Sequence, residues 1–302
     1  MRIATRKSKL ALWQANHVAN LIQKIYPDIV IEIRGFTTKG DKITDQSLSQ
    51  IGGKGLFIKE LEVALQNGEA DIAVHSLKDI PAKLSDEFTL AAILPREDAN
   101  DAFISNKYTM IDRMPHGTII GTSSIRRASF LKKYYPHLES KLLRGNVDTR
   151  LKKLDNNEYD AIILAAAGLK RLGLDSRIKE LLDMDKFIPA ISQGAIGIEI
   201  IANNKNLRDM LFPLNDKNTY ITVECEREVG FRLGASCSLP IAVHAKIIDS
   251  QMTVRAMLLD EDGKICYYSE RMALATKYLE LAKNCADDLI MQGAAEILEK
   301  YK

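Results

Sequence analysis

No stretch of this sequence is apolar for long enough to cross a bilayer. The longest uninterrupted apolar run, Ala161 to Ala167, falls far short of the ~20 residues a membrane helix needs. The start, Met1-Arg2-Ile3-Ala4-Thr5-Arg6, enters a strand-like segment with no signal-peptide core, so a cytoplasmic location is expected. Cysteine is scarce: Cys225, Cys237, Cys266 and Cys285 are widely spaced with no CxxC, which argues against a disulfide framework and a zinc site. Five scattered histidines add no ligand spacing, and no metal is expected. Charge of one sign is lacking too, because 42 basic residues face 40 acidic ones and aromatics make up only 6%. A nucleic-acid binder would be basic with interleaved aromatics, so that class is excluded. What remains is a 302-residue soluble chain, long enough for two or three domains with proper cores.

The chain is organised around Ala70-Asp71-Ile72-Ala73-Val74-His75-Ser76-Leu77-Lys78-Asp79-Ile80-Pro81. Its apolar, β-branched first half reads as a buried strand, and Pro81 forbids the strand from continuing as a central one. Ligands of open α/β sheets gather beyond the carboxyl ends of strands, where Lys78 and Asp79 offer a cation and an anion.

Before this stretch, residues 2–6 read as a strand and Ser8 as the cap of a helix running to about Tyr26. A second strand spans Asp28 to Phe36, a long polar glycine-bearing loop leads to Gly55, and a helix spans Phe57 to Gln66. The next part is a weak copy. Ile119 to Ser124 runs into a helix ending at Tyr135-Pro136, as the first ends at Tyr26-Pro27, and Arg144-Gly145 matches Arg34-Gly35. Leu154, Asn156, Glu158 and Asp160 repeat the spacing of Leu65, Asn67, Glu69 and Asp71. Two α/β lobes of similar order follow, joined by Leu94 to Asp98 and by Ile188 to Ala195. The expected division is 1–95 with 195–215, then 96–194, then an α+β unit over 216–302 with a hairpin turn at Asp260 to Gly263 and a closing helix from Lys277 to about Lys300.

Basic residues gather where strands end: Arg6, Arg126-Arg127 after Ser123-Ser124, Arg144 and then Arg150, and Lys170-Arg171. Any one could be a solvated surface charge. Together they read as a cleft for a polyanionic ligand, since arginine forks onto carboxylate or phosphate and helix amino ends add donors. Cys237, between small residues in Leu233-Gly234-Ala235-Ser236-Cys237-Ser238-Leu239-Pro240, sits badly with a core role and suits a reactive or modified thiol, whereas the other three cysteines fit the core.

His75 to Pro81, Gly121-Thr122-Ser123-Ser124-Ile125-Arg126-Arg127, Leu143 to Arg150 and Gln193 to Glu199 resemble signatures of the hydroxymethylbilane synthase (porphobilinogen deaminase) family, as do Arg2 to Gln14 and Gly52 to Phe57. The likeness runs in order along essentially the whole chain. Ser236 and Ser192 depart from it, standing where glycine, and proline or glycine, are usual. The resemblance implies two lobes of the type II periplasmic-binding-protein fold joined by hinge strands, plus a small α+β third domain. It implies a dipyrromethane cofactor held by a thioether to Cys237, on which four porphobilinogen units are joined head to tail with loss of ammonia. Hydroxymethylbilane is then released. Asp79 is the implied catalytic residue. Cofactor contacts fall to Ser76, Lys78, Ser124, Arg126, Arg127, Arg144 and Gly145. Substrate contacts fall to Arg6, Ser8, Lys54, Phe57, Arg150, Arg171 and Gln193. A monomer without nucleic-acid or membrane partners is expected. The competing class is a non-enzymatic bilobal binder of a polycarboxylate, which gives Cys237 no role.

Overall fold

The computed structural model describes residues 1–42, 55–236 and 238–301. In chain order the strands are β1 (Arg2–Arg6), β2 (Glu32–Phe36), β3 (Ile72–Ser76), β4 (Phe88–Ile93), β5 (Asp101–Ile104), β6 (Ile119–Thr122), β7 (Glu139–Leu142), β8 (Ala161–Ala165), β9 (Glu180–Leu181), β10 (Ile196–Ile201), β11 (Ile241–Ile248), β12 (Gln251–Leu259) and β13 (Cys266–Leu274). They form two five-stranded sheets, ordered β2-β1-β3-β10-β4 and β7-β6-β8-β5-β9, and a three-stranded sheet β11-β12-β13.

The two larger sheets are the same object built twice. Each has three parallel strands followed by one antiparallel to its neighbours, β10 in the first and β5 in the second. β5 precedes the rest of its lobe in the chain and β10 follows it, so each antiparallel strand is reached by crossing between lobes. Those two crossings are the hinge strands. This is the type II periplasmic-binding-protein arrangement, with the antiparallel sheet as a small third unit.

The matched sequence positions have matched physical jobs. Asp71 accepts the Arg2 backbone N–H at 2.6 Å, and Asp160 accepts that of Ile119 at 3.0 Å, each anchoring the entry of its lobe's central parallel strand. Tyr26 and Tyr135 each terminate a helix, with Pro27 and Pro136 beyond them forbidding continuation. Ser8 Oγ accepts from Ala11 N and Ser124 Oγ from Arg127 N, capping the corresponding helices Lys9–Ile25 and Ile125–Tyr134.

Apolar layers cover both faces of the first sheet, with Ile3, Val18, Ile22 and Ile198 on one and Leu61, Leu65 and Phe88 on the other. One face of the third sheet packs on helices Lys217–Arg232 and Tyr278–Met291 through Cys225, Val229, Leu281 and Cys285. Ala242, Met257 and Leu259 of that unit join Phe130 and Phe187 of the second lobe in one core.

Three expected boundaries are corrected. The second strand begins at Glu32 rather than Asp28, because Arg2, the first residue of β1, pairs with Glu32 and leaves the earlier residues no ladder partner. The helix expected from Phe57 begins at Lys59, after a turn over residues 55–58. The closing helix ends at Met291, and a short one, Ala295–Glu299, follows Gly293, whose φ of +111° no α-helix continues through.

Candidate active site

β3 delivers its carboxyl end into the cleft between the lobes, where a single 3₁₀ turn, Leu77–Asp79, replaces the strand. Leu77 is buried against Ile58, Ile80 and Ile93, which turns Lys78 and Asp79 toward the cleft. The Lys78 side chain is exposed to solvent, yet it is crowded by protein atoms, and that crowding, with Arg127 nearby, pushes its ammonium down to about 8. Among the described residues its Nζ has no hydrogen-bond or ion-pair partner. Asp79 has Arg6 Nη1 at 3.7 Å and no closer cation among those residues. Ser76 is held by Gln14, whose Nε2 donates to its Oγ at 2.8 Å.

Arg6, at the end of β1, is committed to its own lobe. Its Nε donates to Asp41 Oδ2 at 3.3 Å, its Nη2 to Asp41 Oδ1, and its guanidinium lies 4.3 Å from the Phe57 ring centroid. Phe57 in turn lies on Gly40, where an added Cβ would sit 2.2 Å from the ring.

The second lobe supplies the facing wall. Arg126 and Arg127 are buried at the start of their helix and converge on Asp101, the fully buried first residue of β5. Arg126 Nη1 lies 2.8 Å from Asp101 Oδ2, and Arg127 Nη2 lies 2.7 Å from Oδ1. Burial opposes the Asp101 charge, but the two guanidinium groups outweigh it and hold the carboxyl far below its usual range. Gln193 Nε2 adds a donor to the same oxygen at 2.9 Å and bonds Ala99 O at 2.7 Å, tying one hinge to the other.

Arg150 reaches back to Gly145 O at 2.7 Å and Ser123 Oγ at 3.1 Å, and burial among other arginines lowers it to about 10. Gly145 has φ +111° with Thr149 Cγ2 only 2.8 Å from where a Cβ would lie, so glycine is required for this turn. Arg144 Nη2 crosses the cleft to Gly40 O at 3.4 Å. Arg171 donates to Gly194 O at 2.6 Å and faces Trp13 of the first lobe at 6.0 Å; burial lowers it to about 10.

The cleft therefore brings together Lys78, Asp79, Arg6, Phe57, Arg144 and Arg150. Arg126, Arg127, Gln193 and Arg171 instead have their donors turned inward, Arg127 onto Asp101, Ile163 O and Gln193, and the Ser8 and Ser124 hydroxyls are occupied as caps. Lys54 and Cys237 lie outside the described residues. The segment leading to residue 237 sets out beside Gly230, where an added Cβ would meet Ile191, Ala235 and Ala82 at 2.6, 3.3 and 3.7 Å. That is the junction of the second hinge, the third unit and the chain just past Asp79.

Three acidic residues here were not singled out from sequence. Asp101 carried a signal, an aspartate opening the apolar strand Ala102-Phe103-Ile104, because a buried carboxylate must be paired. Asp41 sits in a polar stretch and Glu226 in a helix rich in charge, where nothing marks them. Glu226 is fully buried and bonds Arg96 of one hinge at 2.6 Å and Ser192 N of the other at 2.7 Å.

Among the described residues, four cations (Arg6, Lys78, Arg144, Arg150) thus face two carboxylates (Asp41, Asp79), while Arg126 and Arg127 are set behind them on Asp101. Such an excess suits a ligand with several carboxylates, and a dipyrromethane bearing an acetate and a propionate on each ring fits it.

Fold and cleft together define a hinged, two-lobed α/β protein built for a polycarboxylate ligand. Residues 1–209 match the family model described as porphobilinogen deaminase, dipyromethane cofactor binding domain, and residues 220–291 match the C-terminal domain of the same family. The chain is 49% identical over 302 residues to the porphobilinogen deaminase of Burkholderia orbicola (strain MC0-3), covering 99% of this chain and 90% of that one. It is 48% identical over 299 residues to that of Thiobacillus denitrificans (strain ATCC 25259 / T1), covering 99% and 98%. Among solved structures it is similar to the Bordetella pertussis BvgS VFT2 domain, with TM-score 0.45, 15% identity and coverage of 75% and 89%. It is likewise similar to immunogenic lipoprotein A of Vibrio vulnificus, with TM-score 0.45, 13% identity and coverage of 73% and 96%. The chain belongs to the porphobilinogen deaminase family.

Proposed function

We propose that this cleft carries a dipyrromethane on Cys237 and condenses porphobilinogen onto it with Asp79 as the catalytic carboxylate. The chain is a transferase of tetrapyrrole biosynthesis, joining four porphobilinogen units head to tail with loss of ammonia and releasing hydroxymethylbilane. The cofactor, when bound, supplies the pyrrole carbon that attacks the first unit.

Loss of ammonia from an aminomethylpyrrole leaves a delocalised cation. A fixed carboxylate beside the ring nitrogen stabilises that charge as it develops and can pass a proton. Asp79 suits this role because its nearest cation, Arg6, stops at 3.7 Å, leaving the carboxylate free to act on a ligand. Lys78, Arg144, Arg150 and Arg6 are assigned to acetate and propionate groups, with Lys54 and the Phe57 ring on the same side, and Arg127, bound to Asp101, adds its positive charge to theirs. Arg126, Arg171 and Gln193 act through the hinge bonds they make. Ser8 and Ser124 contribute the amino ends of the helices they cap, while Ser76 and Gly145 shape the turns holding Lys78 and Arg150.

One observation carries the reading: Lys78, beside Asp79, is a cation without a partner among the described residues, placed where a ligand carboxylate would meet it. We divide the chain into 1–95 with 195–215, 96–194 and 216–302. The reading includes a monomer and a cytoplasmic location, the latter in keeping with the free thiols Cys225, Cys266 and Cys285.

Intact-protein mass together with porphobilinogen turnover tests the proposal. A mass above the sequence value by two pyrrole units, in protein that releases ammonia from porphobilinogen, is expected. Active protein at the bare sequence mass would overturn it.

A further inference from the structure

Arg6 stands between two carboxylates and is bound to only one. Two of its nitrogens are engaged by Asp41, Nε at 3.3 Å and Nη2 more closely, while Nη1 faces Asp79 across 3.7 Å, beyond hydrogen-bond reach. The arrangement is braced from two sides. Thr38, fully buried, donates its N–H at 3.2 Å and its hydroxyl at 2.8 Å to Asp41 Oδ2, the oxygen that also receives Arg6 Nε. The Phe57 ring lies under the guanidinium at 4.3 Å and rests on Gly40. Burial opposes the Asp41 charge, yet Arg6 and Thr38 outweigh it and hold the carboxyl below its ordinary range, so Asp41 is an anion at neutral pH.

An unrestrained guanidinium next to a carboxylate closes into a two-bond fork. A forked Arg6 would neutralise Asp79, and a neutralised carboxylate does little for a cation forming beside it. We propose that Asp41 is a positioning residue for the reaction, holding the Arg6 guanidinium on its own carboxylate and so keeping it from closing onto Asp79. The inference rests on the assignment of Asp79 as the catalytic carboxylate.

The test compares steady-state kinetics of holoenzymes whose intact mass includes the cofactor and whose melting is cooperative. Asp41→Asn is expected to lose about tenfold or more in kcat with little change in KM, the size of one charge-assisted pair formed at the wrong place. Asp41→Glu is expected to recover most of that loss. Arg6→Gln alone should raise KM more than it lowers kcat. The double variant Asp41→Asn/Arg6→Gln should return to the kcat of Arg6→Gln, because no guanidinium remains to capture Asp79. A normal kcat in Asp41→Asn, or a double variant that multiplies the two single losses, would overturn the inference.

Should Asp41→Asn not yield folded holoenzyme, Thr38→Val removes the hydroxyl that braces Asp41 while keeping the shape. A kcat loss of a few-fold is then expected, and an unchanged kcat overturns the proposal. Asp79→Asn measured in parallel separates the two levels. Slow Asp79→Asn with normal Asp41→Asn defeats the positioning role alone, whereas fast Asp79→Asn defeats the catalytic assignment beneath it.

Discussion

Arg127 Nη2 lies 2.7 Å from the carboxylate of Asp101, which is fully buried and also holds Arg126 Nη1 at 2.8 Å. One acid therefore fixes two adjacent arginines at the mouth of a hinge. Asp101→Asn leaves both guanidinium groups buried without a counter-charge, and we expect a loss of about 3–5 kcal/mol in unfolding free energy. The folded carboxyl lies below its unfolded value. Its stabilisation is therefore present above about pH 4 and is lost as pH falls through the depressed folded value. Denaturant titrations from pH 3 to 7 should show wild type and Asp101→Asn converging toward the acid end. Equal stability of the two at pH 7 would rule out this role.

Lys78 predicts a rise of stability with pH as well, but in an alkaline window. Its ammonium is pushed down to about 8, so between pH 8 and the ordinary lysine value near 10 the unfolded chain binds more protons than the folded one. Stability attributable to Lys78 should therefore rise with pH across that window. Comparing Cys237→Ser protein with and without an added Lys78→Met change isolates the contribution. In cofactor-loaded wild type a carboxylate beside Lys78 restores its charge, and the rise should vanish. A rise of the same size in loaded and cofactor-free protein would show that no ligand carboxylate reaches Lys78.

Cys237→Ser should give folded, inactive protein without the two-pyrrole mass, while Cys225→Ser should keep both mass and activity. Cys225 is fully buried in the third unit and its thiol is pushed up by burial and by Glu226; Cys285, in the same core, is pushed up to about 11. Neither provides a ready thiolate. Peptide mass mapping decides the matter, and a pyrrole adduct on a cysteine other than Cys237 would sink the assignment.

The sequence was most legible where local chemistry repeats. Ser8 as a cap, Tyr26-Pro27 and Tyr135-Pro136 as stops, and the paired Asp71 and Asp160 betrayed a duplicated lobe, because each acts within a few residues or at one strand entry. The cation cluster was legible too, since arginines placed at strand ends must share the same edge of a sheet. What sequence could not separate was which arginines stay open to a ligand. Arg126 and Arg127 follow a strand end just as Arg6 and Arg144 do, yet both are bound inward, to Ile188 O, Ile163 O and Asp101. That depends on Asp101 and Gln193, which reach these arginines only through long-range folding. Boundaries failed where tertiary partners set them, as with the missing ladder partner before Glu32.

The most direct test of the account is single-turnover ammonia release from porphobilinogen by Asp79→Asn holoenzyme, with thermal stability measured on the same preparation. The substitution keeps size and much of the hydrogen bonding but removes the charge that faces the developing cation. Release slowed by orders of magnitude, with unchanged melting and Asp79→Glu faster than Asp79→Asn, is the result the account predicts, each ~1.4 kcal/mol lost costing about tenfold. Near-normal release from Asp79→Asn, with only its melting temperature lowered, would contradict it and reduce Asp79 to a residue that holds the turn.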